Sequence, residues 1–259
     1  MEGALLALAD ETMPALLAGF AVFLRVGAFI ALAPGLGEML IPLRVRLVVA
    51  VALSMAVTPL VAGDLVPLVA GQGAYWLMVT EPAAGLVLGL ALRFMLGALQ
   101  LAAVKIAQAT SLAQLLGGGT PDPMPAIGVL LMMGGLALAF AAGLHVKVTL
   151  LLAQSYAWLP AGQLVPGPDL AALASGQMSQ AFALAFALAV PFLVGSLLYN
   201  LALGAINRAM PQLMVAFVGA PALTWAALVL LLATAPLILS VWHEHFDRRL
   251  ADPLGLGLP

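Results

Sequence analysis

The sequence predicts an all-α integral membrane protein that contains broken helices, and three observations carry this prediction. Hydrophobic residues make up 64% of the 259 residues and charged residues only 8%, whereas a soluble globular domain carries about 25% charged residues. The mean hydropathy is +1.15. Charge-free stretches recur along the chain at about the 20-residue length of a membrane-spanning helix. This composition excludes a soluble enzyme, a nucleic-acid-binding protein and a disordered protein.

The chain is predicted to be one membrane-embedded domain over residues 1–259, with seven apolar segments. Each segment is long enough, or nearly so, to cross the hydrocarbon core of a bilayer. The segments are residues 12–37, 47–63, 74–101, 126–144, 148–159, 181–206 and 222–242. A linker with Asp64, Pro67 and Gly71 is expected after the second segment. The chain contains 26 Gly and 18 Pro, which indicates broken or closely packed membrane helices.

Residues 105–125 interrupt the pattern of apolar spans. Lys105, Gln108, Ser111 and Gln114 recur every three positions and form a polar stripe on a predicted helix. Gly117–Gly119 end that helix, because each glycine costs about 1 kcal/mol relative to alanine, and the prolines that follow exclude further helix. The polar stripe is compatible with a pore lining and with a helix lying at the membrane surface.

Residues 207–221 form a second irregular stretch, which is broken by Pro211, Gly219 and Pro221. Residues 209–242 carry no charge, so a bent or re-entrant element followed by a full span is expected. Irregular backbone at membrane depth persists only where it is buried in protein or lines a water-filled cavity. The chain is therefore expected to be a subunit of a larger assembly or to enclose a cavity itself.

The distribution of Lys and Arg predicts the orientation. Arg44 and Arg46 lie between the first two segments, and two further arginines, 248 and 249, follow the last one. This places the N-terminus outside and the C-terminus inside, which suits an odd number of crossings. Lys147 and Arg208 would then lie outside, against the trend.

Charged residues inside the spans need partners. A lone arginine facing lipid costs about 2.5–3.5 kcal/mol or more, so Arg25 must face protein or water. Glu38 is its candidate partner, for which Arg44 and Arg46 compete. Arg25 is therefore either a packing ion pair or a charge lining a lumen.

Glu81 and Arg93 are expected to find partners elsewhere than in each other. Their 12-residue separation corresponds to about 18 Å along a helix. Glu81 precedes Pro82, which also suits a helix N-terminus. Asn207, Arg208 and Gln212 form either a polar break between helices or a contact with another subunit.

Three stretches together resemble one family. Residues 23–53 contain an arginine within a span, a Pro-Gly turn and the sequence IPLRVR, and residues 81–110 begin with Glu-Pro and continue as a glycine-spaced helix. Residues 199–223 contain the most specific signature, NLALGxxNRxxPQL. Over about residues 20–246 the chain resembles the FliR/SctT family of type III export-gate proteins.

The resemblance implies bent helical hairpins that form part of a spiral hetero-oligomeric gate complex. FliP and FliQ are the implied channel partners, FlhB and FlhA act with them, and membrane lipid surrounds the assembly in the bacterial inner membrane at the flagellar basal body. The gate passes unfolded rod, hook and filament proteins. Neither enzymatic activity, a cofactor, a metal nor nucleic-acid binding is expected.

The resemblance also implies site residues. A loop that closes the pore corresponds here to Gln108, Ser111, Gln114, Leu115, Leu116, Gly117, Gly118, Gly119 and Asp122. Structural charges and subunit contacts are expected at Arg25, Glu38, Arg44, Arg46, Glu81, Arg93, Asn207, Arg208 and Gln212.

Three alternatives stay open on the sequence. The first concerns the substrates, which are either flagellar proteins or the virulence proteins of an injectisome. A small-solute secondary transporter fits broken helices, although no convincing repeat of two halves is present. An intramembrane enzyme acting on lipid lacks a catalytic cluster in the sequence.

Overall fold

The computed structural model describes residues 2–38, 41–70, 74–110, 126–209 and 215–255. Across these ranges the chain is helical between its turns and contains no β-strand, which confirms the all-α class. The seven helices are α1 (Glu2–Leu32), α2 (Leu43–Ala70), α3 (Ala74–Thr110), α4 (Ala126–Ala141), α5 (Leu144–Trp158), α6 (Gly167–Ala209) and α7 (Val215–Ala251).

The linker expected at Asp64 and Pro67 is wrong, because both residues lie inside α2; Gly71 lies outside the described residues. The buried positions of α2 continue at helical spacing through this stretch, at Val61, Leu65 and Val69. Asp64 and Pro67 lie on the exposed side of the helix. The buried apolar face therefore holds the helix together where local composition favours a loop, and membrane helices tolerate an internal proline.

The irregular element expected over residues 207–221 is wrong at both of its ends. Helix α6 continues through Ala209, and α7 begins at Val215 and includes Gly219 and Pro221. Residues 210–214, which contain Pro211 and Gln212, lie outside the described residues. A single internal proline removes one backbone hydrogen bond, which a long apolar helix tolerates.

Five helical stretches are long and apolar enough to cross a membrane, which confirms an all-α membrane protein. They are Thr12–Leu32, Leu43–Val69, Tyr75–Ala109, Gly167–Ala209 and Trp225–Ala251. Helices α4 and α5 form a pair bent by 71°, which makes six spans when the pair is counted as one. The structure thus supplies five or six spans within the described residues in place of the seven expected from the apolar segments.

The bend between α4 and α5 has a local cause. The 16 residues of α4 and the 15 of α5 give lengths of about 24 and 22 Å, and each is short of a 30 Å hydrocarbon core. Gly143 separates them with a φ of 82°. Glycine adopts this left-handed conformation without a steric cost, so the chain turns sharply there.

The chain divides into two compact units. The first comprises residues 1–94, 140–177 and 247–259, and the second residues 95–139 and 178–246. In the first unit α1 and α2 form an antiparallel hairpin, and Gly19 of α1 approaches Thr58 of α2. The core of this unit includes Val22, Phe29 and Leu88, all fully or almost fully buried.

The second unit is organised around Trp242 of α7. The indole N–H of Trp242 donates to the carbonyl oxygen of Met95 on α3 at 2.8 Å, and its ring stacks on Phe246 with centroids 5.0 Å apart. A Cβ on Gly135 of α4 would lie 3.2 Å from the same ring. The absence of a side chain at Gly135 therefore lets the indole lie directly against α4.

Candidate functional site: a buried charge network

Helix α3 presents four residues at four-residue spacing toward α1: Glu81, Gly85, Gly89 and Arg93. Residues spaced by four lie on one face of a helix. A Cβ on Gly85 would collide with the carbonyl oxygen of Arg25, and one on Gly89 would lie 2.9 Å from the carbonyl oxygen of Phe29. The backbones of α1 and α3 therefore touch, as small residues at this spacing allow in membrane proteins. We call this contact, with its four α3 residues and their partners on α1 and in the turn that follows it, the α1–α3 seam.

One end of the seam holds a buried ion pair. The Nε of Arg25 donates to Oε2 of Glu81 at 2.8 Å, and its Nη2 donates to Oε1 at 3.1 Å. This bidentate geometry is the strongest that a guanidinium and a carboxylate form. The side chains are 1% and 0% exposed. The pair is thus withdrawn from solvent, and its remaining donors need protein acceptors.

Residues at the end of α5 supply those acceptors. The Nη1 of Arg25 donates to Oγ of Ser155 at 2.9 Å, and Nη2 donates to the carbonyl oxygen of Leu159 at 2.9 Å. The hydroxyl of Tyr156 donates to Oε2 of Glu81 at 3.1 Å. The guanidinium carbon also lies 3.7 Å from the centre of the Tyr156 ring, a cation–π contact. We call these five residues the Arg25 network.

The expected pairing of Arg25 with Glu38 is wrong. Arg25 lies two turns before the end of α1, whereas Glu38 follows the turn that ends this helix. Arg93 Nη1 instead donates to Oε1 of Glu38 at 2.6 Å. Arg46 binds the backbone carbonyl of Glu38, and Arg44 is exposed at the start of α2.

The expected position of Glu81 at a helix N-terminus is also wrong. Helix α3 begins at Ala74, so that Glu81 lies two turns inside it and Pro82 is an internal proline. The apolar residues before Glu81 extend the helix upstream, and Arg25 neutralises the carboxylate in place of a helix dipole. Glu81 and Arg93 do not pair with each other, as their spacing along α3 requires.

The two ends of the seam differ in exposure. Arg93 and Glu38 are 36% and 27% exposed, whereas the Arg25–Glu81 pair is buried. Water screens the exposed pair, which makes it the weaker of the two. On α3 the seam carries an acid at the buried end and a base at the exposed end. The complementary charges are Arg25 on α1 and Glu38, which follows the turn after α1.

Most residues of the expected pore-closing loop lie outside the described residues: Ser111, Gln114, Leu115, Leu116, Gly117, Gly118, Gly119 and Asp122. Gln108 is exposed near the end of α3, and the Nζ of Lys105 lies 3.4 Å from its Oε1. Asn207 and Arg208 are exposed at the end of α6, whereas Gln212 is outside the described residues. The described members of these two groups, Gln108, Asn207 and Arg208, are thus not part of the Arg25 network.

Sequence reasoning missed Ser155 and Tyr156, and no local pattern in α5 points to them. The α1–α3 seam could have been found in the sequence. Gly85 and Gly89 have the small-xxx-small spacing, and Glu81 and Arg93 continue this spacing in both directions. Within the described residues, no group of three or more His, Asp or Glu side chains is placed to hold a metal ion. The Arg25 network itself stabilises the packing of α1, α3 and α5.

Comparison with known proteins identifies the family. The profile described as "Bacterial export proteins, family 1" matches residues 16–249. The flagellar biosynthetic protein FliR of Caulobacter vibrioides is 34% identical over 234 residues, which cover 89% of this chain and 93% of that protein. The FliR proteins of Escherichia coli and Aquifex aeolicus are 31% and 29% identical, over 87% of this chain in each case and 87% and 88% of their own lengths. The chain therefore belongs to family 1 of the bacterial export proteins, alongside these FliR proteins.

Proposed function

We propose that this chain is a subunit of the flagellar type III export gate and forms, with FliP and FliQ homologues, the channel through which unfolded flagellar proteins cross the inner membrane. The observation that carries the proposal is the match to FliR proteins over almost nine-tenths of the chain. The relatives compared here are flagellar by name, which favours flagellar substrates over those of an injectisome. FlhB and FlhA homologues complete the proposed set of partners.

The exposed surface of the chain supports a role in an assembly. Of the most apolar 18-residue stretch of α7, only 17% is buried within the chain. The corresponding shares are 22% for α2 and 33% for α6. The 43 residues of α6 extend about 65 Å, roughly twice the thickness of a hydrocarbon core. Lipid therefore covers only the apolar middle of α6 in a perpendicular span, and partner chains are the natural cover for the ends of the helix.

Charge placement in the first unit supports the proposed orientation. The Nζ of Lys147 lies 2.7 Å from Oδ2 of Asp247, next to Arg248. Val49 and Leu53 of α2 share a cavity with His145 and Val148 of α5, so the two helices begin at the same end. Arg44, Arg46, Lys147, Arg248 and Arg249 consequently gather at that end. The expected separation of Lys147 from Arg248 across the membrane is wrong, because their elements meet there.

This cationic end is proposed to face the cytoplasm, as the positive-inside rule requires. Helix α1 begins at the opposite end of the unit, so the N-terminus is proposed to be periplasmic.

The loop between α3 and α4 is proposed as the closure of the pore. Its sequence combines apolar residues with Gly117–Gly119, and glycines allow a loop to move aside for a passing chain. An apolar constriction blocks ions at rest by excluding water. In this role the chain positions and seals, and it changes no covalent bond.

A deletion strain tests the proposed function. Removal of the gene from its host is expected to abolish swimming in soft agar and the secretion of hook and filament proteins, and the tagged full-length chain is expected to restore both. FliP and FliQ homologues should copurify with the tagged chain, as identified by mass spectrometry. A deletion strain that still swims and secretes would contradict the proposal, as would uptake of a small solute by vesicles containing the chain alone. Loss of virulence-protein secretion without loss of flagella would assign the chain to an injectisome.

A further inference from the structure

An apolar cavity lies in the first unit, between the end of α1, the start of α2 and the start of α5. Its volume is ≈ 230 Å³. Its floor is formed by buried residues, among them Ala33, Leu92, Leu144 and Val148. His145 is the one polar residue among those that line it. Water in such a space lacks the two to four polar partners that hold a buried water molecule.

The cavity opens on a surface that belongs in a membrane. Phe140 is 42% exposed, and His145 is exposed as well, so the rim is accessible from outside the unit. On α2, Val49 lines the cavity, and the adjacent Val48 is 67% exposed. Helix α2 is long and apolar enough to span a bilayer. Hydrocarbon is therefore the material that such an opening meets in the membrane.

The volume fits part of a hydrocarbon chain. An apolar cavity of about 150 Å³ stays free of water and accepts a molecule of the size of benzene. The cavity at the start of α5 is larger and is open on one side, so an extended chain can enter it lengthwise. Filling it also restores dispersion contacts to the floor residues, which face empty space without an occupant.

An arginine with one unpaired donor lies next to the cavity on α2, although it is not among the residues that line the apolar space. Arg46 is one turn before Val49 on α2, and it donates through Nη2 to the carbonyl oxygen of Glu38. Its Nε is buried and has no acceptor among the described residues. A buried donor without an acceptor is costly, and a phosphate oxygen is a strong acceptor for a guanidinium.

We propose that this cavity is a phospholipid site, in which one acyl chain occupies the apolar space and the phosphate accepts a hydrogen bond from Arg46. The acyl chain would fill the apolar space and enter through the exposed rim. The phosphate would supply the acceptor that the Nε of Arg46 lacks. The site does not depend on the export role proposed above. A lipid held there covers the cleft between α2 and α5 beside the bend at Gly143.

Photo-crosslinking of the tagged full-length chain in the membranes of its bacterial host tests this site. Cells are grown with a fatty acid that carries a diazirine and is incorporated into their phospholipids, and labelled peptides are identified by mass spectrometry after irradiation. The exposed apolar face of α6, at Phe182, Phe186 and Val190, reports contact with bulk lipid. We expect the residues of the cavity to carry at least about threefold more label per residue than this face, because a held chain stays in contact longer.

A matched pair of variants on α2 separates the cavity from the surface beside it. Val49→Phe fills the cavity and is expected to lower its labelling to the level of the α6 face. Val48→Phe makes the same change on the outward side and is expected to leave the labelling unchanged. If Val49→Phe does not accumulate in the membrane, Leu53→Phe takes its place, since Leu53 lines the same cavity one turn further along.

The headgroup is tested separately on the purified assembly. Native mass spectrometry of the tagged chain with its copurifying partners is expected to show one tightly retained phospholipid fewer for Arg46→Gln than for the parent chain. Arg44→Gln, an exposed neighbour, serves as the control. Equal labelling of the cavity and the α6 face, equal effects of the two valine variants, or unchanged lipid retention in Arg46→Gln overturns the proposal.

Discussion

Arg25 carries a buried charge in the first unit, and the packing of that unit depends on how this charge is paired. It is 1% exposed, and its guanidinium donates to the carboxylate of Glu81, a hydroxyl and a backbone carbonyl. Removal of a charge from water costs several kcal/mol, which a buried pair recovers only with good geometry and additional hydrogen bonds. The network supplies both. The loss of either partner leaves the other charge buried and unpaired.

Arg25 and Glu81 are expected to depend on each other. Arg25→Met or Glu81→Met alone should cost about 3–5 kcal/mol, whereas the double substitution should cost less than either single one, because no charge is left unpaired. The measurement is the thermal unfolding of the detergent-extracted assembly, with the amount of chain in the membrane as a second readout. Costs that simply add in the double variant would contradict this coupling.

The exposed pair at the other end of the seam is expected to matter much less. Arg93→Gln or Glu38→Gln should change stability by about 0–1 kcal/mol, because water and salt screen this pair. The same unfolding measurement, repeated at high salt, should reduce even this difference. A loss as large as that of Arg25→Met would show that the pair is buried in the assembly by another chain.

The sequence determines that Arg25 must avoid lipid but leaves its partner undetermined. The cost of a charge in hydrocarbon follows from composition and position alone. The choice between Glu38 and Glu81 depends on which helix packs against α1, and Glu81 is 56 residues away along the chain. Ser155 and Tyr156 are farther still, and nothing in their local sequence sets them apart from other polar residues.

At the scale of the helices, glycine placement determines how closely α1 and α3 approach. Gly85 and Gly89 lie where any side chain would meet the backbone of α1. Gly97, on the same helix, has open space around the position of a Cβ. The two kinds of glycine are indistinguishable by residue type, and Gly97 even continues the four-residue spacing that runs from Glu81 through Arg93. Only the packing partner separates them, because α1 backbone lies against Gly85 and Gly89 and nothing in the described part of the chain lies against Gly97.

Gly85→Ala is expected to destabilise the chain, whereas Gly97→Ala is expected to be harmless. Overpacking at Gly85 should cost about 1–3 kcal/mol or more, since backbone and not a flexible side chain is in the way. At Gly97 alanine should be neutral or stabilising by up to about 1 kcal/mol, because it favours helix. Membrane abundance and thermal unfolding measure both. A similar loss for the two variants would place another chain against Gly97 or argue against the close seam.

Helix existence was predictable, and helix ends were less so. Each predicted apolar segment overlaps one helix, because a long charge-free stretch has few other structures available in a membrane. The prediction failed where composition and burial disagree. Asp64 and Pro67 suggest a loop, yet Val61, Leu65 and Val69 continue the buried face of α2. The bend at Gly143 could not be predicted from hydropathy, because the residues on both sides of it are apolar.

For the whole molecule, the number of crossings decides on which side each terminus lies. Five spans place the termini on opposite sides of the membrane, and six place them on the same side. The cationic end of the first unit, with Lys147 beside Asp247, favours opposite sides under the positive-inside rule. The composition alone predicted a membrane protein. The contact of α5 with the end of α7 could not be predicted by counting charges along the sequence, because it is a tertiary contact.

The termini are expected to react from opposite faces of the inner membrane. The chain contains no cysteine, so single replacements Glu2→Cys and Ala251→Cys report one position each. In spheroplasts a membrane-impermeant maleimide should label Glu2→Cys, and it should label Ala251→Cys only after the membrane is opened. The unsubstituted chain is the blank. Labelling of both positions in intact spheroplasts would favour six crossings.

Deletion of Gly117–Gly119 is expected to make the membrane leak small ions if the loop closes the pore. A shortened loop would no longer reach across the constriction, so ion conductance should rise in cells that carry the complete assembly. Replacement of the three glycines by alanine keeps the loop length and serves as the control. Unchanged conductance after deletion would remove the loop from the proposed closure but would leave the family membership as it is.

The α1–α3 seam has a consequence for the order in which the chain is made. All of its contacts fall between residues 25 and 93, so both helices have left the ribosome before α5 exists. A slip of one turn between them would separate both ion pairs at once and bring side chains against backbone where glycine is required. The first third of the protein can therefore reach the correct register between α1 and α3 during insertion. Ser155, Tyr156 and Leu159 later add hydrogen bonds to a helix pair that is already packed.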